Sequence, residues 1–136
     1  SFMLSADNAH AVHPNHAEYS DKTNQVFMNQ GVVIKGNANQ KYTTDGVSVA
    51  VFSKLCKQAN IPYQFYFNRS DMPGGSTLGN LSSRQVSIKT IDIGLAQLAM
   101  HSAYETAGAK DAQMMSDACK AFFETSMVAD EEEIKF

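Results

Sequence analysis

The sequence lacks several features that would each indicate a class of protein. It has no tryptophan and only two cysteines in 136 residues, and no stretch approaches the roughly 18 consecutive apolar residues of a membrane-spanning helix. Lysines and arginines are scattered and the formal net charge is −3, so no continuous basic face could neutralise a row of phosphates. We therefore expect neither a membrane nor a nucleic acid as a partner.

The two cysteines, Cys56 and Cys119, both lie within apolar helical patterns, where a thiol behaves as a small hydrophobic side chain. We expect no disulfide, and therefore a reducing compartment, the cytoplasm. The sequence opens with "SFMLSAD" and shows neither an initiator methionine nor a secretory leader. This opening has the composition of a strand that begins at the first residue, so we expect a fragment of a longer protein.

Hydrophobic periodicity predicts one α/β domain at 1–126, in which helices sandwich a mixed, mostly parallel sheet in three layers. An acidic, solvated tail is expected at 127–136. The predicted elements, in chain order, are a strand at 1–6, a polar stretch at 7–30, a strand at 32–34, a helix at 44–60, a strand at 63–67, a short helix at 78–84, a strand at 85–94 and a helix at 110–126.

The last helix is expected to place a row of mostly apolar side chains on one face: Ala112, Met115, Cys119, Phe122 and Phe123. The three richest polar loops each follow a strand, and they begin at residues 7, 35 and 68. Ligands collect at strand ends in sheets of this kind, so these loops are the candidate site.

The first polar loop, "SADNAHAVHPNHAEY", spaces Asp7, His10, His13 and His16 by three residues. Pro14 argues against a continuous helix there, which makes the regular spacing mostly coincidental. An aspartate at a strand end with a nearby imidazole suits zinc. From the residues alone, capping or ordering of the loop is the favoured explanation, and a metal site is the alternative.

Three further side chains allow two interpretations each. His101, in "LAMHSAYE", is either a core histidine or a metal ligand. Lys35, the last residue of "VVIK", is either a solvated residue at a strand end or a fixed cation for a substrate carboxylate. Tyr42 is either a packing aromatic or a phenol donor. The glycine-rich "DMPGGSTLG" lacks the "GK[ST]" ending of a phosphate-binding loop, which disfavours phosphate.

Four blocks of sequence, "SADNAHAVHPNH", "GVVIKGNANQKYTTDG", "NRSDMPGGSTLGNL" and "DIGLAQLAMHSAYET", together resemble the C-terminal part of the catalytic domain of the aspartyl aminopeptidase family. The blocks occur in the family's order and at its spacing. The resemblance implies a zinc-peptidase-like α/β fold, two zinc ions and removal of N-terminal Asp or Glu from peptides. It also implies a cytosolic homo-oligomer.

The resemblance assigns roles to individual residues. Asp7 matches a ligand of one metal ion, and His101 matches a ligand of the other. His10, Lys35 and Tyr42 match substrate-binding positions. A lysine suits this family because an acidic side chain needs a cation to receive it.

Which side chain receives that carboxylate stays open among Lys35, Tyr42 and Arg69. The family's upstream His-x-Asp pair, its bridging aspartate and its adjacent glutamates, one of which is the general base, are absent from this chain. The chain alone is therefore expected to be inactive and to carry no catalytic residue itself. The alternative is a stand-alone α/β binding or assembly module that keeps the peptidase scaffold without its chemistry.

Overall fold

The computed structural model describes residues 1–36, 42–67, 76–129 and 134–135. Within these ranges the strands are β1 Phe2–Ala6, β2 Ala9–His10, β3 Val32–Gly36, β4 Tyr63–Phe67, β5 Lys89–Gly94, β6 Ala96–Leu98, β7 Thr106–Ala107, β8 Val128–Ala129 and β9 Ile134–Lys135. The α-helices are α1 Gly46–Gln58, α2 Leu78–Ser83 and α3 Ala109–Glu124. None of the helices in the described ranges is long and apolar enough to cross a membrane.

The main sheet has four strands in the order β1-β5-β3-β4. β1 runs parallel to β5 and β3 runs parallel to β4, whereas β3 and β5 are antiparallel. The predicted mixed sheet is thus confirmed. Because β3 runs against β1, the loops after these two strands leave the sheet at opposite ends, so strand ends alone do not bring Asp7 and Lys35 together.

One face of the sheet is apolar and carries the core. Val32, Ile34, Ile91 and Ile93 point to this face and are each at most 1% exposed. α1 and α3 cover them with side chains that include Phe52. Burial of an aliphatic or aromatic side chain of this size stabilises the fold by roughly 1.5–3 kcal/mol, so this layer is the main source of stability.

The opposite face is covered by shorter elements. The small sheet β2-β6-β7 and the segment that follows β2 bury Val33 there, together with Val26 and Ala96. α2 packs on β1 and β5 on the same side, where the N–H of Gly79 donates to Ser5 Oγ at 2.9 Å. Helices therefore lie on both faces of the main sheet, as the sequence predicts.

The start of α1 shows how local chemistry sets an element. Asp45 accepts a hydrogen bond from the N–H of Ser48 at 2.7 Å, and Ser48 Oγ accepts one from the N–H of Asp45 at 2.9 Å. This reciprocal pair satisfies backbone donors that a helix start leaves open. The sequence allows either Thr44 or Asp45 as the cap of this helix, and the structure shows Asp45. The predicted end near residue 60 is two residues beyond the observed one at Gln58.

Three details differ from the sequence-based expectations. The polar stretch at 7–30 contains β2 and a 3-10 turn at Ala17–Tyr19, and β6 was not predicted. In α3 the buried residues are Asp111 and Ala118; of the expected apolar face, Met115, Cys119 and Phe122 are partly buried, whereas Ala112 is exposed and Phe123 is 82% exposed, so that prediction is correct only in part. The expected tail includes the antiparallel pair β8–β9, and residues 130–133 lie outside the described ranges.

Candidate functional site

A row of polar side chains crosses the face of the main sheet opposite the core. Ser5 is the register partner of Asp92, and Lys35 is the partner of Tyr66. The antiparallel pairing of Ile34 with Ile93 places Lys35 opposite Asp92, one step along the same register. Ser5, Asp92 and Lys35 are 6%, 0% and 4% exposed. Burying such groups is costly unless they are paired, so this row is a candidate site rather than ordinary packing.

Lys35 lies at the centre of the row. Its Nζ donates to the carbonyl oxygen of Asn8 at 3.0 Å, lies 3.8 Å from Asp7 Oδ2 and lies 4.9 Å from the centre of the Tyr42 ring. Burial lowers the pKa of Lys35, while the carboxylates of Asp7 and Asp92 oppose that shift. The side chain thus crosses the sheet to reach Asp7, although the loops after β1 and β3 leave at opposite ends.

Asp7 follows β1 directly and is held by its own backbone. Its N–H donates to the carbonyl oxygen of Ile93 at 2.9 Å, which continues the parallel pairing of β1 with β5 by one residue. Gly94 lies so close that a Cβ there would overlap the carbonyl of Asp7. The Asp7 side chain is 49% exposed. Its carboxylate is therefore fixed at its base and accessible to a ligand at its tip.

His10 lies in β2, where it pairs with Gln97 of β6. Partial burial lowers the pKa of the His10 imidazole, although the residue as a whole is exposed. The positive charges of Lys35 and His101 lower this pKa further. The charges of Lys35 and His101 thus both act on His10, although these two residues are 66 positions apart in the chain.

His101 occupies a left-handed turn directly after β6. Its φ is 67° and that of Ala99 is 52°, values that residues with a side chain rarely adopt. The N–H of His101 donates to Glu105 Oε1 at 2.6 Å, which holds the turn. The side chain is exposed, so the interpretation as a core histidine is wrong. Strain of this kind is characteristic of residues that are held for a function.

Contacts link three of the residues that the sequence singles out, because Lys35 contacts both Asp7 and Tyr42. His10 is linked to Lys35 and His101 through their charges alone. Two other histidines of the first loop lie beside each other: the ring centres of His13 and His16 are 5.4 Å apart, and the rings are tilted by 43°. Arg69, the remaining candidate for the substrate carboxylate, lies outside the described residues.

Zinc accepts the donor types that Asp7 and His101 provide, a carboxylate oxygen and an imidazole nitrogen. Asp7 has the accessible tip that a ligand needs, and His101 is exposed. No group of three or more His, Cys, Asp or Glu side chains among the described residues is arranged to hold a metal ion. These two residues therefore fit as contributors to a metal centre and do not form one by themselves.

Sequence reasoning did not identify Asp92 or Thr43. Asp92 is fully buried in β5, and its Oδ2 accepts hydrogen bonds from the N–H of Thr43 at 2.7 Å and from Thr43 Oγ1 at 2.9 Å. The available signal was the aspartate in "TIDIG", because a charged residue inside an otherwise apolar strand is rare unless it is paired. The sequence does not reveal its partner.

Comparison with known proteins identifies relatives of this chain. Residues 1–123 match the family described as aminopeptidase I zinc metalloprotease (M18). The probable M18 family aminopeptidase 2 of Clostridium acetobutylicum is 45% identical over 123 residues, which are 90% of this chain and 28% of that protein. The corresponding protein of Clostridium novyi is 50% identical over 111 residues, which are 82% of this chain and 26% of that protein. The chain thus spans about a quarter of the length of these relatives.

Solved structures share the fold. A chain of the Ape4 and Nbr1 complex superposes with a TM-score of 0.88 at 39% identity, over 90% of this chain and 23% of the other. The S. cerevisiae mApe1 dodecamer gives a TM-score of 0.80 at 29% identity, over 90% of this chain and 26% of the other. The resemblance drawn from the four sequence blocks is thereby confirmed at the level of the family. This chain belongs to the aminopeptidase I zinc metalloprotease (M18) family.

Proposed function

We propose that this chain is part of a metallo-aminopeptidase that removes acidic residues, Asp or Glu, from the N-terminus of peptides. The observation that carries the proposal is the position of Lys35. Its ammonium group is almost fully buried and lies 3.8 Å from the carboxylate of Asp7, a residue fit to bind metal. A fixed cation next to a candidate metal ligand is suited to hold a substrate carboxylate close to the scissile bond.

Lys35 retains the donors that this role needs. An ammonium group has three N–H donors, and one of them donates to the carbonyl oxygen of Asn8. The Tyr42 ring lies against the ammonium group, where it restricts the direction from which a substrate can approach. His10, on which the charges of Lys35 and His101 act, is the third residue proposed to contact the peptide. These three residues are the proposed substrate-binding set.

The metal centre of the proposed enzyme contains two zinc ions, and Asp7 and His101 each contribute a ligand to one of them. Bound zinc supplies Lewis acidity, which acidifies a water molecule and polarises the peptide carbonyl. The left-handed turn at His101 and the hydrogen bond from the Asp7 N–H to Ile93 fix the backbone from which these two side chains extend. The remaining ligands and the general base come from residues outside this chain, so the chain alone is inactive.

We also propose that the enzyme is a cytoplasmic homo-oligomer. The related S. cerevisiae mApe1 has been solved as a dodecamer, and this chain shares its fold over 90% of its length. Cys56 is buried in the core, where burial raises the pKa of its thiol to about 12. Such a thiol is inert, which is compatible with a reducing compartment. Gel filtration with light scattering would test the assembly.

The experiment uses the protein translated from the whole reading frame that encodes this chain, here called the complete protein. Release of the first residue is measured for peptides that begin with Asp or Glu and for matched peptides that begin with Ala or Leu. Lys35→Met should reduce kcat/KM for the acidic peptides by about 100-fold, since a charged hydrogen bond contributes roughly 1.5–3 kcal/mol, and by much less for the neutral ones.

Lys89→Met is the matched control for this experiment. Lys89 lies in the same sheet but is 54% exposed and pairs with Asp45 on the surface. Replacing Lys89 by methionine removes one positive charge, as Lys35→Met does, and leaves every residue of the polar row unchanged. Equal losses on acidic and neutral peptides in the Lys35 variant would remove Lys35 from the specificity role.

The second candidate is a non-catalytic module on the same scaffold. The observation that favours it is the lack of a three-ligand group among the described residues. A complete protein that contains no upstream His-x-Asp and Glu-Glu elements, and that releases no residue from any peptide, would support the module and reject the enzyme.

A further inference from the structure

We propose that Asp92 is a positioning residue: through Thr43 it holds Tyr42 against Lys35, and so it shapes the place where the acidic side chain of the substrate is received. The inference rests on the proposed function in one respect, namely that Lys35 and Tyr42 contact substrate. The geometry that supports it is independent of that function. It involves a buried carboxylate, the turn that this carboxylate holds and the helix that packs behind it.

Asp92 is bound to the segment that follows Tyr42 by three hydrogen bonds. Its Oδ2 accepts from the N–H of Thr43 at 2.7 Å and from Thr43 Oγ1 at 2.9 Å. Its own N–H donates to Thr44 Oγ1 at 3.0 Å. Two consecutive threonines are thus attached to one residue of β5. Hydrogen bonds to a buried carboxylate are among the stronger ones in proteins.

The other side of the Asp92 carboxylate is closed by α2. Gly79 approaches so closely that a Cβ there would lie 2.8 Å from Thr43 Oγ1, 2.9 Å from Asp92 Oδ1 and 2.9 Å from Ser5 Cβ. Among the described residues, Asp92 Oδ1 has no hydrogen-bond partner. A residue larger than glycine would therefore not fit beside this carboxylate, and among the described residues its only side-chain hydrogen-bond partner is Thr43.

Tyr42 is the residue whose place this arrangement determines. Its side chain is 8% exposed, and its ring lies over Lys35. It also lies close to Tyr66, whose pKa is raised to about 12 by burial and, to a lesser degree, by Tyr42. Tyr42 thus contacts Lys35 of the polar row, and the adjacent Thr43 attaches it to a second member, Asp92.

Asp111 provides a matched comparison within the same chain. It is also fully buried, and it accepts hydrogen bonds from the N–H groups of Asn29 at 2.7 Å and Gly31 at 3.4 Å. These contacts attach the segment before β3 to α3, away from the polar row. A purely structural buried carboxylate should therefore behave like Asp111. A positioning carboxylate should differ from it in substrate selectivity.

The test compares Thr43→Val with Thr43→Ser in the complete protein. Valine removes the hydroxyl group that donates to Asp92 and keeps the shape, whereas serine keeps the hydroxyl. Thr43→Val should raise KM for peptides that begin with Asp about tenfold, as expected for the loss of one hydrogen bond to a charged group, with little change in kcat. Thr43→Ser should restore the parent values, and Asp111→Asn should leave KM unchanged.

A second measurement does not depend on activity. Tyr42 should be protected from tetranitromethane in the parent and in Thr43→Ser, and it should become nitrated in Thr43→Val, as peptide mass spectrometry would show. Tyr104 is 85% exposed, so it should be nitrated in every sample and thereby show that the reagent is active. If Thr43→Val does not fold, Thr43→Ala removes the same hydroxyl without adding bulk, and the same results are expected.

Two results would overturn the proposal. One is a Thr43→Val protein in which Tyr42 stays protected, and the other is an equal rise in KM for Thr43→Val and Asp111→Asn. If the parent protein hydrolyses no peptide, the proposed function fails, and the nitration comparison alone then decides whether Asp92 and Thr43 hold Tyr42 in place.

Discussion

The two faces of the main sheet are built from alternate residues of the same strands, yet they differ in nearly every respect. Ile34 and Ile93 point into an apolar layer beneath α1 and α3, whereas their neighbours Lys35 and Asp92 point into a buried polar row. The two layers lie one residue apart in sequence. Because the side chains of a strand alternate, the same strand can stabilise the fold on one face and present polar groups for a functional site on the other.

The faces also differ in what covers them. Regular helices cover the apolar face, while the polar face is covered by two-residue and three-residue strands, a six-residue helix and long connecting segments. Loops and short elements allow backbone groups to approach polar side chains, as the carbonyl of Asn8 approaches Lys35. The polar face can therefore satisfy groups that a helix surface would leave unpaired.

The largest expected effect is on the apolar face. Phe52→Ala should lower the free energy of unfolding by roughly 3–5 kcal/mol, because it removes a fully buried aromatic ring from beneath the sheet. Val47→Ala on the same helix is the control, since Val47 is 46% exposed. Urea denaturation of the complete protein followed by circular dichroism would measure both. A cost for Phe52→Ala as small as that for Val47→Ala would contradict the assignment of stability to this face.

The next effect is on the polar face, at Gly94. Gly94→Ala should displace Asp7, whose carbonyl leaves no room for a Cβ, and should weaken metal binding about 10- to 100-fold, as changes beside metal ligands commonly do. Gly46→Ala is the control, because a Cβ there meets no atom within 4 Å. Isothermal titration of the metal-free complete protein with zinc would compare the two. If the two variants bound zinc with equal affinity, displacing Asp7 would have no effect on zinc binding, which would contradict its assignment as a metal ligand.

The smallest effect concerns the cap of α1, at the border of the two faces. Asp45→Ala should cost about 1 kcal/mol at pH 7. Burial opposes ionisation of Asp45, but the Lys89 ammonium at 2.7 Å and the N–H of Ser48 hold the pKa of this carboxyl below its ordinary value. The folded pKa is therefore below the unfolded one, so the contribution is present above the unfolded pKa and is lost as pH falls through the folded pKa.

The difference between the parent and Asp45→Ala should accordingly shrink when urea midpoints are measured at successively lower pH values in the acid range. A difference that stays constant from neutral to acid pH would show that the charge of Asp45 does not support the cap.

The sequence predicts the elements well where one local signal dominates. The cap at Asp45, the helical spacing of α1 and the β-branched run at Val32 each determine structure within a few residues. The apolar face of α3 is predicted only in part: Met115, Cys119 and Phe122 are partly buried, whereas Phe123 is exposed. Contacts with neighbouring elements also bury Asp111, and no local pattern indicates that an aspartate is preferred inside.

The candidate site depends on contacts between distant residues, which sequence patterns do not contain. Asp7 and Lys35 are identified by their position at strand ends, but the reversal of β3 and the reach of the lysine across the sheet follow only from the pairing of strands. Asp92 and Thr43 are 49 positions apart. Their partnership requires the fold, and the same is true of the strained turn that presents His101.

The most direct test of the central claim is the zinc content of the complete protein and of three variants, measured by mass spectrometry of the metal. Asp7→Asn and His101→Ala should each lose about half of the bound zinc, since each would remove a ligand of one ion. His16→Ala, a change to an exposed imidazole of the same polar loop, should retain all of it. Unchanged zinc in both Asp7→Asn and His101→Ala would contradict the claim that this face of the sheet contributes to a metal centre.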